Sequence, residues 1–339
     1  MPDHPGLTAD SLRKLLTANG VDVVGDLDIT LIAGGRSNLT FEVRDDEHHW
    51  VARRPPMGGL TPSAHDMERE WAVTSALTGT DVPVAPTVAI DRSGDYIGAP
   101  CTVVEFVDGL VIRSTDELDA AWTDEQVTAN FEALVQTLAK LHAVDFTAVG
   151  LSDFGKPEGF AARQVKLWSR QWGLVKTRDL PDVDALVEKL SARVPAQARS
   201  TIVHGDYRID NTIIDRDDPA KVLAVVDWEM SALGDPLTDV ALMCVYHEPV
   251  FASVMGFRAA WTSERYPSGD EMARAYAAAS GADLGDWDFY MGLANLKLGV
   301  IAEGITHRAL LGGSSGAEGA ERAAEGTAAF IANGLRWVS

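Results

Sequence analysis

The sequence predicts an α+β fold in two lobes, a small five-stranded antiparallel N-terminal lobe and a large, mostly helical C-terminal lobe. Three observations predict it. Up to residue 107 the apolar residues alternate in short runs, the period of strands, with one helix among them. Beyond residue 109 they recur every three or four residues over long stretches, the period of helices. "DG" at 108–109 marks the change and reads as a hinge. The expected division is 1–107, with a leading helix, and 108–339.

Each element has a local reason. "TADSLRKLLTAN" (8–19) is an amphipathic helix that Thr8 caps and Gly20 stops. "LDITLIA" and "LTFEVR" alternate as strands joined through "GGRSN", and "DDEHH" turns the chain into a third strand, "WVARR". "SAHDMEREWAVTSALTG" is a helix ending at glycine, and "VAPTVAI" and "CTVVEFV" are two strands about the turn "RSGD". In the second half, "DEQVTANFEALVQTLAKLHAV" keeps helix spacing for about five turns. Further helices are expected at 158–177, 181–193, 236–247, 267–280, 286–308 and 318–337, with β pieces at 201–203, 212–214 and 222–227. Residues 312–326 read as a loop running into a helix.

Composition narrows the function. Asp and Glu number 50 against 29 Lys and Arg, a net charge of −21. That field repels phosphate backbones, so nucleic acid and anionic membrane are not expected partners. Two cysteines in no metal-ligand spacing, and an N-terminus without a signal pattern, point to the cytoplasm. No run reaches the length of a membrane span.

The chemistry concentrates in "HGDYRIDN" (204–211), a dense polar insert between two apolar pieces. As a hairpin loop it would aim Asp206 and Asn211, five apart, at one point. Asp206 can accept a hydroxyl proton, and the Asn211 carbonyl can ligate a hard cation. Asp227 ends the strand of "VLAVVDWEM" and can supply a second ligand, or cap a turn. Upstream, Gly34 and Gly35 offer a nest of backbone N–H groups to phosphate oxygens, or make an ordinary hairpin. Arg53 and Arg54 lie on opposite strand faces, and Arg53 is favoured to point inward because Val51 then shares its face. Glu70, with Glu68 as competitor, can hold that arginine. Gly-turn, basic strand residue, helix Glu, hinge, H-x-D-x-x-x-x-N and strand-end Asp form the order required for phosphoryl transfer from a nucleotide.

On these motifs the chain resembles the aminoglycoside phosphotransferase and choline kinase-like family of small-molecule kinases, from about residue 25 onward. "GGRSNLTFEV", "VARRPP" and "LHAVD" look most like the kinase-like domains associated with acyl-CoA dehydrogenases. The resemblance implies a protein-kinase-like fold and a nucleotide-binding first lobe. It implies Asp206 as the catalytic base or hydroxyl-orienting group, and Asn211 and Asp227 as ligands of Mg²⁺ on ATP (or GTP). Gly34, Gly35, Ser37 and Asn38 would cover the phosphates, Arg53 and Glu70 would bind and brace them, and the backbone from Val104 to Val107, including Glu105 and Val107, would meet the adenine edge. Asp239 would tie the loop to the next helix, and His204 would hold the loop by packing. One departure is an arginine where kinases usually carry lysine.

For the acceptor, residues 156–178 hold six basic residues and one acidic. Arg163, Lys166 and Arg170 share a helix face, with Trp168 and Trp172 beside it. This stripe is either a solvated face or a receiver for an anionic substrate, and a hydroxyacyl-CoA is the favoured small-molecule acceptor. The alternatives are an aminoglycoside kinase, a nucleotide-binding pseudokinase, and a phosphohydrolase using His204, Asp206, Asp227 and His247 as metal ligands.

Overall fold

The computed structural model describes residues 6–33, 38–56, 66–312 and 316–339. The chain opens with helix α1 (Ala9–Ala18), strands β1 (Asp28–Ala33), β2 (Leu39–Arg44) and β3 (His49–Arg54), helix α2 (Met67–Leu77), and strands β4 (Thr87–Asp91) and β5 (Cys101–Glu105). The five strands form one antiparallel sheet in the order β1-β2-β3-β5-β4. Thr8 and Ser11 cap α1 reciprocally, and its Leu12, Leu15 and Leu16 bury against the sheet with Phe41, Val43 and Val103. Apolar burial of this kind contributes about 1.5–3 kcal/mol per large side chain.

The rest is mainly helical: α3 (Thr115–Ala121), α4 (Asp124–Ala143), α5 (Phe160–Val175), α6 (Pro181–Ala192), α7 (Leu237–His247), α8 (Ala252–Met255), α9 (Gly269–Ser280), α10 (Trp287–Leu310) and α11 (Gly316–Trp337). Four short strands, β6 (Thr201–Val203), β7 (Thr212–Ile214), β8 (Val222–Val225) and β9 (Ala232–Gly234), pair as β6 with β9 and β7 with β8. A second apolar core, from Val73 to Val338, fills this half. No described helix is long and apolar enough to cross a membrane.

The expected fold class holds, with local differences. Segment 115–121 forms a helix on a Ser114–Glu117 capping box, a signal not weighed in the sequence. β9 is also additional, its three residues being too few to show a period. Segment 204–211 is not a hairpin, because its flanking strands pair elsewhere, β6 with β9 and β7 with β8. The loop therefore spans two small sheets and is fixed at both.

Two features join the halves. α2 follows β3 in the chain, yet its Val73 and Leu77 belong to the helical core. Arg69 reinforces this by donating to the Ser231 carbonyl at 2.8 and 3.0 Å and stacking on Phe154 at 4.1 Å. At the hinge, Leu110 exchanges two backbone hydrogen bonds with Ile214, at 2.7 and 2.9 Å. Gly109 permits that approach, since a Cβ there would lie 2.6 Å from the Ile214 carbonyl oxygen.

Candidate active site

The 204–211 loop is held from three directions. The Asp239 carboxylate of α7 accepts the N–H of His204 at 2.6 Å and of Gly205 at 2.8 Å, and meets His142 Nε2 at 3.2 Å. Tyr207 donates its hydroxyl to the Leu134 carbonyl of α4 at 2.8 Å. His204 Nδ1 accepts the Asp206 N–H at 3.2 Å, and Nε2 donates to the Val226 carbonyl at 3.0 Å. Both ring nitrogens are thus engaged as in a neutral imidazole, leaving neither for a metal. Gly205 has φ +83°, and a Cβ would lie 2.6 Å from the Met230 carbonyl oxygen, so only glycine fits the turn.

The same bonds set Asn211 beside Asp227. Val226 donates its N–H to the Asn211 carbonyl at 2.9 Å while its own carbonyl takes His204. Asp227 follows two residues beyond β8, rather than at the strand's end, with φ +67°. An αL residue other than glycine costs on the order of 1–2 kcal/mol. The turn aims its carboxylate into the cleft that Asn211 also lines. Asn211 Nδ2 donates to the Asp206 carbonyl at 2.7 Å and carboxylate at 3.0 Å, so its amide oxygen is what it can offer a cation.

Asp206 is a restrained base. Burial raises its pKa, but Arg208 at 3.3 Å and a hydrogen bond from Tyr246 outweigh burial and hold the carboxyl below the ordinary range. Arg208 also pairs with Asp210 at 3.1 Å. Burial, against that pairing, pushes Asp210 up to about 6.

On the sheet side, Arg53 turns inward with Val51, while Arg54 turns to the other face and donates to the carbonyls of Gly6 and Pro55. The Arg53 fork reaches two carboxylates, Glu70 through Nη1 and Asp227 through Nη2 at 3.5 Å. A lysine could not span both in this way, which accounts for the arginine. Burial opposes the Arg53 charge, yet these carboxylates raise its pKa further. Glu68 instead pairs with Arg92 on the surface at 3.1 Å.

Arg53, Glu70, Asn211 and Asp227 line one 430 Å³ cavity with Glu105 and Val107 at its hinge edge. Glu105 gives its N–H to the Pro86 carbonyl at 2.9 Å, and proline has no N–H to return, so the Glu105 carbonyl stays open on that side. Among the described residues the Val107 N–H has no partner. Asn38 departs from its expected place. It is buried just before β2, where the alternation that turns Thr40 to the cavity does not yet apply, and it does not line the cavity. Gly34, Gly35 and Ser37 lie outside the described residues.

A second cavity, of 370 Å³, opens on the other side of the loop at Gly205. Phe160, Leu167, Trp168 and Leu293 give it apolar walls, and Lys297 and Glu229 add charge. Glu229 is pushed up to about 7 by burial and by its neighbour Asp227.

Residues 28–293 match the phosphotransferase enzyme family. The chain belongs to that family. Among solved structures, a Ralstonia eutropha protein assigned as an aminoglycoside phosphotransferase is 29% identical, covers 98% of both chains and superposes with a TM-score of 0.82. A macrolide 2′-phosphotransferase of Brachybacterium faecium shares the fold at 21% identity, covering 94% of this chain and 98% of its own, with a TM-score of 0.58. Among curated relatives, acyl-CoA dehydrogenase family member 10 of Mus musculus is 34% identical over 91% of this chain and 29% of its own length. Member 11 of Homo sapiens is 30% identical over 90% and 39%. The chain thus spans about a third of the length of these curated relatives. The matched family is one of phosphotransferases.

This phosphotransferase gathers Asp206, Asn211, Asp227, Arg53 and Glu70 around one loop. It does not gather the hydrolase ligands. His247 lies at a different cavity and its Nδ1 meets the Trp261 carbonyl at 2.8 Å. No three His, Cys, Asp or Glu among the described residues cluster as a metal cage. Asn211 and Asp227 instead form an amide–carboxylate oxygen pair, which suits Mg²⁺ completing its shell with water and phosphate oxygens. The basic stripe also misses the second cavity. Arg163 caps the loop before α5 through the carbonyls of Lys156 and Glu158, and Lys166 and Arg170 are exposed, none of them lining the second cavity. Of the two cations that do line it, Arg69 is committed to the Ser231 carbonyl and Lys297 escaped the sequence reading. Its signal was one charge in the apolar run "LANLKLGV".

Proposed function

We propose that the chain transfers the γ-phosphoryl group of ATP to a hydroxyl of a small acyl compound, with a hydroxyacyl-CoA as the favoured acceptor. One observation carries this reading. Two cavities border a single polar loop, one at Asn211 with Arg53 and Asp227, the other at Gly205 with Phe160, Leu167, Trp168 and Lys297. In it, 1–107 supplies the nucleotide lobe and 108–339 the loop and acceptor side. The open Glu105 carbonyl and Val107 N–H would receive the adenine edge, and Gly34, Gly35 and Ser37 would cover the phosphates. Arg53, braced by Glu70, would take phosphate charge, and Asn211 and Asp227 would hold Mg²⁺. Bound there, the ion would offset charge on the phosphate oxygens.

Asp206 then acts mainly by orientation. Its carboxylate already accepts from three side chains, which lowers its basicity, and a loose phosphoryl transition state needs little base. It fixes the acceptor oxygen in line and takes the proton as the P–O bond forms. The likeness to acyl-CoA dehydrogenase family members supports an acyl acceptor, as do the apolar walls. The cationic-sugar alternative draws on the names of the solved neighbours. Turnover of labelled ATP against hydroxyacyl-CoAs and aminoglycosides tests the reading. Phosphorylated acyl product supports it, and transfer to cationic sugars alone would sink it.

A further inference from the structure

The acceptor cavity holds a charge that the transfer reading leaves unused. Lys297 sits mid-helix in α10, 8% exposed. Its Nζ donates to the Gly205 carbonyl at 2.7 Å and stands 5.7 Å from the centre of the Trp168 ring. An ammonium carries three N–H donors, and among the described residues the Gly205 carbonyl takes the only one engaged. No described carboxylate forms an ion pair with it. Asp206 and Asp239 act on it from farther away, and burial lowers its pKa. A buried ammonium is costly to keep, and a neutral amide could hold one carbonyl as well. Two donors remain at the cavity wall beside the residue that precedes Asp206.

We propose that Lys297 is the specificity-determining and positioning residue of the acceptor site, donating to a carbonyl or carboxylate oxygen of the acceptor so that its hydroxyl falls to Asp206. The inference rests on the acyl-acceptor reading and deepens it. Leu167, Trp168 and Leu293 line the same cavity as Lys297 and offer an acyl chain an apolar surface. The Trp168 ring faces the Lys297 charge and replaces part of the lost hydration. The other charged groups lining the cavity are Asp66, Arg69, Glu229 and Asp239, of which Arg69 and Asp239 are committed to backbone partners.

The test compares hydroxyhexanoyl-pantetheine thioesters, hydroxyl at carbons 3 to 6, with thioether analogues in which CH₂ replaces the thioester C=O. The wild type should favour a thioester. Lys297→Gln keeps a donor for Gly205 and removes the charge, and Lys297→Met removes both. In Lys297→Gln, kcat/KM for the thioester should fall roughly 10- to 100-fold, as for one charged hydrogen bond. The thioether value should change less than about threefold, and ATP affinity should hold, which also reports folding. Parallel losses on both probes would reduce Lys297 to loop support, and no loss on either would remove it. If the wild type phosphorylates neither probe while binding ATP, the acyl-acceptor reading itself fails and takes the inference with it.

Discussion

The two cavities beside the 204–211 loop are built differently. The nucleotide-side cavity draws on β3, α2, the hinge and the turn after β8, and its polar groups brace one another: Glu70 holds Arg53, Arg53 reaches Asp227, and Val226 ties Asp227 to Asn211. The cavity proposed for the acceptor draws on α5, α7 and α10, and of its charged groups Asp66, Arg69, Glu229, Asp239 and Lys297 the last has no ion-pair partner among the described residues. Phosphoryl chemistry fixes charge at set places, so the first cavity is densely cross-linked. Acceptor choice asks for shape and one or two polar contacts, so the second is loosely specified.

Substitution at the boundary should have the largest effect. Asp206→Ala is expected to lower transfer by about 10³-fold, within the range for a positioned acid–base group, and to leave nucleotide affinity within about threefold. Rapid-quench transfer and a nucleotide titration separate the two quantities. Equal loss of both would mean that Asp206 belongs to the nucleotide cavity, which would erase the contrast.

Next come the braces. Glu70→Ala frees Arg53 and leaves a buried guanidinium facing Asp227 alone, and a loss of about 10²-fold in kcat/KM is expected. Arg53→Lys should cost about tenfold, because an ammonium reaches one carboxylate where the fork reaches two. Glu68→Ala, two positions away on the surface, should change activity less than twofold. Steady-state kinetics at saturating acceptor ranks the three, and an effect of Glu68→Ala matching that of Glu70→Ala would show that the brace is misassigned.

That ranking also shows where the sequence was readable. The alternation of β3 decides between Arg53 and Arg54 by local geometry, whereas Glu70 and Glu68 stayed in competition until the packing of α2 set Glu70 against Arg53 and Glu68 against Arg92. The partners of the loop were less readable. Tyr246 reaches Asp206 from α7, and the pairing of β6 with β9 is a long-range event that no three-residue strand announces. Lys297 was hidden for a further reason. One lysine in an apolar helix reads as a surface residue until the packing of α10 against α5 and α7 shows it enclosed.

Asp239 tests the scaffold shared by both cavities. Its carboxylate serves two loop N–H groups and His142, and although burial opposes its charge these bonds hold its pKa below the ordinary range. The depressed folded-state pKa means that its stabilisation is complete above the unfolded value, about 3.9, and is lost as pH falls below it. Asp239→Asn should cost about 3–5 kcal/mol at neutral pH and flatten the acid limb of stability below about pH 4. Denaturant melts of both proteins from pH 7 to pH 3 measure this. An unchanged acid limb would assign that limb to other carboxylates.

The smallest effect is expected from the most conspicuous charge cluster. Lys166 and Arg170 lie on the exposed face of α5, while the opposite face of the same helix gives Leu167 and Trp168 to the acceptor cavity. Exposed charges in water lose most of their influence within about 10 Å at 0.1 M salt, so they act on a ligand only by touching it. A pantetheine thioester carries no phosphate for that face to hold, whereas a full coenzyme A carries a phosphorylated nucleotide. Lys166→Ala/Arg170→Ala should therefore leave kcat/KM for the pantetheine probe within about twofold. The same double variant on the matching coenzyme A thioester then reads the outer face alone. A change below twofold there makes the stripe a solvated face. A rise in KM of tenfold or more, confined to the coenzyme A ester and weakened by salt, would extend the acceptor site over the edge of α5 and make its specificity less loosely built than its cavity implies.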